Sequence, residues 1–177
     1  MRHFTFLIII VFGQCLQAQD GSTKNFIGIN PSITVEPFYE QGEFDINILP
    51  VVYQKPINNF VDVRLTSILS LGIRDKQSGI NGVGFETAAP IFLNKREKDD
   101  LQSKGFFIAS IFSLVRYTKE EHTNFGFWLE PGYIFSLDND FSISIGGQFG
   151  ATYFDHDKIR NKWGEHIGAK FIIGKWF

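Results

Sequence analysis

From about residue 25 to its last residue the chain alternates apolar side chains with small or polar ones, in eight stretches separated by turn-forming or charged clusters. A two-residue period places successive side chains on opposite faces of a strand, so each stretch is a strand with one apolar face. The pattern predicts strands at about 25–38, 43–56, 60–74, 80–93, 105–117, 123–137, 141–154 and 162–177. In the seventh, Phe141, Ile143, Ile145, Phe149, Ala151 and Tyr153 oppose Ser142, Ser144, Gly146, Gln148, Gly150 and Thr152. The third sets Val61, Val63, Leu65, Leu69, Leu71 and Ile73 against Asp62, Arg64, Thr66, Ser70, Gly72 and Arg74. The sixth sets Phe125, Phe127, Leu129, Tyr133, Phe135 and Leu137 against Gly126, Trp128, Glu130, Gly132 and Ser136. The fifth leaves its orientation open, because Phe106/Ile108/Phe112/Leu114 and Phe107/Ala109/Ile111/Val115 are both apolar.

Alternation is compatible with a soluble barrel whose apolar face points inward or a membrane barrel whose apolar face points outward. Glycine decides between them. Eleven of the 17 glycines (28, 72, 82, 84, 126, 132, 146, 150, 164, 168 and 174) fall on the polar side of the register. The interior of an eight-stranded barrel is barely wide enough for side chains, so small residues belong there, whereas a solvated outer face has no reason to collect them. The expected fold is therefore all-β, an eight-stranded antiparallel up-and-down transmembrane β-barrel with a polar lumen. In this register no Arg or Lys faces lipid at mid-wall, where each would cost about 2–4 kcal/mol. Aromatic residues near strand ends fall into two sets, expected as interfacial girdles: Phe38, Tyr39, Tyr117, Phe125, Tyr153 and Trp163 at one rim, and Phe60, Phe92, Phe135, Phe141, Trp176 and Phe177 at the other.

The amino-terminal residues fit the same location. Arg2 and His3 precede an apolar run from Phe4 to Phe12, and Leu16-Gln17-Ala18 follows as a cleavage site, so residues 1–18 read as a secretory signal peptide and 19–177 as one barrel domain. Cleavage removes Cys15 and Met1, the only cysteine and methionine, which closes disulfide and thiolate chemistry to the mature chain. A formal net charge of −2 gives no basic footprint for nucleic acid.

On these patterns, with Trp176-Phe177 at the carboxyl terminus, Leu129-Glu130-Pro131-Gly132-Tyr133-Ile134-Phe135 and the short Leu137-Asp138-Asn139-Asp140 turn, the chain resembles the small eight-stranded outer-membrane barrels of Gram-negative bacteria. The resemblance covers nearly all of residues 19–177. It implies an outer-membrane location, contact with outer-membrane lipid, and recognition of Trp176 and Phe177 as an insertion signal by the barrel-insertion machinery.

The far-side connectors are expected to be short, which excludes large adhesive or receptor loops. The longest connector, 94–104, carries seven charged residues among eleven and reads as a solvated turn on the side of the termini. Inside the expected lumen lie Glu36, Asp62, Arg64, Glu86, Glu130, His166 and Lys170. Enclosed charges must pair, so Arg64 and Lys170 are expected to neutralise some of Glu36, Glu86 and Glu130. Catalysis finds no support in these motifs. Lipid-cleaving barrels resemble a His-x-Ser pattern, and this chain has His166-Ile167-Gly168, without the nucleophile. Asp155-His156-Asp157 reads as a hydrated turn rather than a metal site. The expected function is a non-enzymatic outer-membrane barrel, with no cofactor, that has a structural role or serves as a small subunit of a larger outer-membrane assembly. A narrow solute channel and a lipid-modifying enzyme are the alternatives.

Overall fold

The structure, a computed structural model, describes residues 24–34, 44–74, 78–95, 102–119, 121–157 and 160–177. The expected signal peptide, Glu36, Phe38, Tyr39 and most of the charged part of the 94–104 connector lie outside the described residues. The strands are β1 (Phe26–Ile29), β2 (Ile33–Thr34), β3 (Phe44–Asn47), β4 (Val51–Pro56), β5 (Asp62–Ile73), β6 (Gly79–Phe92), β7 (Gly105–Tyr117), β8 (His122–Ser136), β9 (Phe141–His156) and β10 (Lys162–Trp176). All pairings are antiparallel. β1, β4, β5, β6, β7, β8, β9 and β10 form a closed ring of eight, and β2 with β3 extends it along the upper part of β5. Closure is made between the first and last described strands. Asn25 and Phe177 exchange two backbone hydrogen bonds of 2.9 and 2.8 Å, and β1 pairs with β10 from Phe26↔Trp176 to Ile29↔Ile173.

The six later strands fall where the alternation puts them, within about two residues. The first two do not run unbroken. The expected stretch 25–38 is interrupted at 30–32, and 43–56 at 48–50. Proline explains both breaks, since it has no N–H to give to a ladder. Pro50 sits in a one-residue bulge, seen as the change from Val52↔Thr66 to Asn47↔Ser70 along β5. Two polar side chains repair the lost ladder there. Asn47 Oδ1 accepts from the backbone N–H groups of Leu49 (3.2 Å) and Leu69 (3.0 Å), its Nδ2 donates to the Ser67 carbonyl, and Ser67 Oγ donates to the Leu49 carbonyl at 2.6 Å.

The wall is inside-out relative to a soluble barrel. Val63, Leu65, Val83, Ile91, Phe106, Ile108, Phe127, Leu129, Ile145 and Phe149 point outward, each about half exposed, while Thr66, Ser70, Ser113, Asn124, Ser144 and Gln148 are buried. The eleven glycines all lie on the inner face. Among the described residues, outward-facing charges occur only toward strand ends: Lys55 and Lys175 near the termini, Arg116, Asp155 and Glu165 near the far end.

The orientation of β7 is now settled. Phe107, Ala109 and Ile111 point inward and pack with Ala88, Phe92 and Ile134, while Phe26, Val52, Ile172 and Trp176 form a second apolar cluster near the termini. These clusters also correct part of the girdle expectation. Phe92, Trp176 and Tyr117, at 5, 1 and 4% exposure, fill the interior rather than the rims. Each sits on the inward parity of its strand. Phe60, Phe135, Phe141, Phe177 and Trp163 do project outward.

Candidate functional site

Inward alternation brings Arg64 from β5, Glu86 from β6, Glu130 from β8, Gln148 from β9 and Lys170 from β10 into one buried cluster. Arg64 Nη2 donates to Glu130 Oε1 at 2.6 Å, with both side chains sealed from solvent. Gln148 Nε2 donates to Glu130 Oε2 at 3.0 Å, and the Lys170 ammonium lies 3.9 Å from the same oxygen while pairing directly with Glu86. The Arg64 guanidinium also lies 5.7 Å from the centroid of Phe107. Four of the five residues expected to form the lumen network therefore meet. The fifth, Glu36, is outside the described residues.

Asp62, closer to the termini, accepts from Gln54 Nε2 at 2.6 Å and from Ser103 Oγ. Enclosed carboxylates and cations are costly unless paired, and this arrangement supplies partners in place of water. Together with the two apolar clusters it fills the termini half of the lumen.

Beyond the ion pairs lies a cavity of about 290 Å³, bordered by Thr66, Ser70, Ser113, Trp128, Gln148, Thr152, His166 and Lys170 among others. The Trp128 and His166 rings stack at 4.0 Å with an interplanar angle of 11°. Gly126 makes room for that stack, because a Cβ there would lie 1.7 Å from the Trp128 ring. His166 also lies 3.3 Å from Gln148 Oε1 through its Nε2. At the far end the interior fills again, with Tyr117 stacked on His122 at 4.8 Å beside Phe154, and Asp45 bridged to Arg74 at 3.0 Å.

Among the described residues the wall beside this cavity is split. The β1–β10 ladder would continue from Ile29↔Ile173 to Pro31 opposite Phe171, but β2 pairs only with β3, and Asn30 and Ser32 bond to Pro50 and Asn47 on the other side. Pro31 occupies the position that owes an N–H to Phe171. Above that point no described strand pairs with the free side of β10. Outward-facing Glu165, Ile167 and Ala169 consequently border the same cavity as inward-facing His166 and Lys170.

The carboxyl-terminal pair expected as an insertion signal divides between the two faces. Trp176 is buried and donates its Nε1–H to Ser142 Oγ at 2.9 Å, whereas the Phe177 ring is 62% exposed. Around Asp155-His156-Asp157, Asp155 accepts from Asn161 and Asp157 pairs with Arg116. Among the described residues no group of three or more His, Cys, Asp or Glu is placed to hold a metal.

The lumen charges were visible from alternation. The seam was missed, although Pro31 was its signal. Comparison with protein-family models, curated proteins and solved structures gives no match.

Proposed function

We propose that the chain is an integral outer-membrane β-barrel protein without enzymatic activity, whose lumen is closed by packing, and which has a structural role or serves as a small subunit beside a larger outer-membrane assembly. The observation that carries this reading is the apolar outer face of the described strands around a charged, glycine-lined interior. Water would leave that wall unburied, while hydrocarbon solvates it. Strands β5 to β10, of 12 to 16 residues, exceed the ~9–11 needed to cross a bilayer at a 45° tilt. The paired charges and the Phe26/Trp176 and Phe92/Phe107 clusters argue for a plug over a channel.

Liposome flotation after alkaline extraction tests the membrane reading. The chain is expected to float with lipid and to require detergent for solubility. A chain that stays dissolved without detergent and remains at the bottom of the gradient overturns the reading. Affinity capture from membranes in mild detergent then distinguishes a subunit, which brings a stoichiometric outer-membrane protein with it, from a barrel that stands alone.

A further inference from the structure

We propose that the luminal cavity binds the uncharged, hydroxyl-bearing head group of an amphiphile that enters from the bilayer through the seam beside Pro31. This inference rests on the membrane reading of the wall and adds a ligand to it.

Three observations carry it. The first is the route. In a fully zipped stave an outward-facing residue cannot reach the lumen, yet outward-facing Ile167 and Ala169 border the cavity because the neighbouring stave has turned away. The second is what fills the other directions. Apolar clusters and ion pairs occupy the termini half, and Tyr117, His122 and Phe154 with the Asp45–Arg74 bridge occupy the far end. The third is the chemistry on offer. Lys170 is paired with Glu86, and Arg64 with Glu130; the Arg64 Nε and Nη1 groups that lack a hydrogen-bond partner do not border the cavity, so among the described residues its inner lining offers no unpaired charge to a guest.

What the cavity presents instead is neutral hydrogen bonding. Thr66 Oγ1 and the Trp128 Nε1–H are buried without a protein partner, with Ser70 and Ser113 alongside. Buried polar groups strongly favour a partner, and a hydroxylated ring supplies both donors and acceptors. The space, about 290 Å³, corresponds to roughly ten waters. That is the scale of a single sugar-sized head. Outside the seam, Ile29, Ile167 and Phe171 are exposed and apolar, which suits the attached tail.

The test uses the full chain in phosphatidylcholine nanodiscs, reading the three indole N–H resonances while octyl glucoside is added below its micellar concentration and, separately, while free glucose is added. Octyl glucoside is expected to shift the Trp128 resonance saturably and to leave that of Trp176, bonded to Ser142, in place. Glucose at equal concentration is expected to leave both unmoved. Gly168→Gln fills the cavity beside the seam, and a Cβ there meets side-chain atoms rather than backbone, Gln148 Oε1 at 3.1 Å and His166 Nε2 at 3.2 Å being the nearest. It is expected to weaken the titration at least tenfold. Thr66→Val, which removes one hydroxyl at nearly constant shape, is the second variant and is also expected to weaken it.

An unmoved Trp128 resonance overturns the proposal, as does a titration that neither variant changes. An equal response to glucose overturns entry from the bilayer. A chain that enters nanodiscs and stays silent defeats this inference alone, whereas one that never enters them defeats the membrane reading as well.

Discussion

Glu130 holds the interior together at the scale of single residues. It accepts from Arg64 at 2.6 Å and from Gln148 at 3.0 Å, and its loss leaves a sealed guanidinium facing nothing. Breaking a buried pair from one side costs about 3–5 kcal/mol, so Glu130→Ala is expected to lower the urea midpoint of the detergent-refolded barrel by that equivalent, and Glu130→Gln by less. Gly126 makes a different kind of demand. Gly126→Val is expected to push the Trp128 ring off His166, costing about 1–3 kcal/mol and shifting the Trp128 indole resonance before any ligand is added. That these charges lie inside was legible in the sequence, because parity forces Arg64, Glu130 and Lys170 to the face that carries the glycines. Their partners were not legible. Arg64 meets Glu130 across 66 positions and Lys170 meets Glu86 across 84, distances set by the stagger of the staves and not by anything local.

Each strand is a ladder as well as a row of side chains, and only the row shows in a hydropathy pattern. This is why the pattern locates β6 to β10 closely and shows the first two staves as unbroken. Pro31 keeps the side-chain period while Pro50 sits where it slips by one residue, and both remove backbone donors. At Pro50 the loss is repaired by Asn47, and Asn47→Ala is expected to cost about 1–3 kcal/mol by leaving the Leu49 and Leu69 amides without an acceptor, as read from the shift of the same urea transition. At Pro31 the described residues offer no repair. The amides of Ile167, Ala169 and Phe171 are therefore expected to exchange with deuterium much faster than those of Ile173 and Lys175, which face β1 in the same strand. Comparable protection along the whole of β10 would show a seam that is closed in solution. The fifth stretch posed a separate difficulty. Both its faces are apolar because one meets the outside and the other, Phe107, Ala109 and Ile111, builds the plug.

For the whole molecule, an apolar layer, an ionic layer and a small polar cavity stacked inside eight strands leave no continuous bore among the described residues. Planar-bilayer recordings of the purified chain are expected to show no steady single-channel steps, and a stable conductance that changes ion preference in Lys170→Gln would overturn the plug. Closure itself carries a consequence for how the molecule is made. The hydrogen bonds that complete the ring join Asn25, among the first described residues, to Phe177, the last. Any stretch of these strands that lacks β10 is an open ribbon with two sticky borders, the state in which β-proteins aggregate. Such a ribbon has to be kept apart from its own kind until β1 and β10 meet, the pairing that shuts the ring.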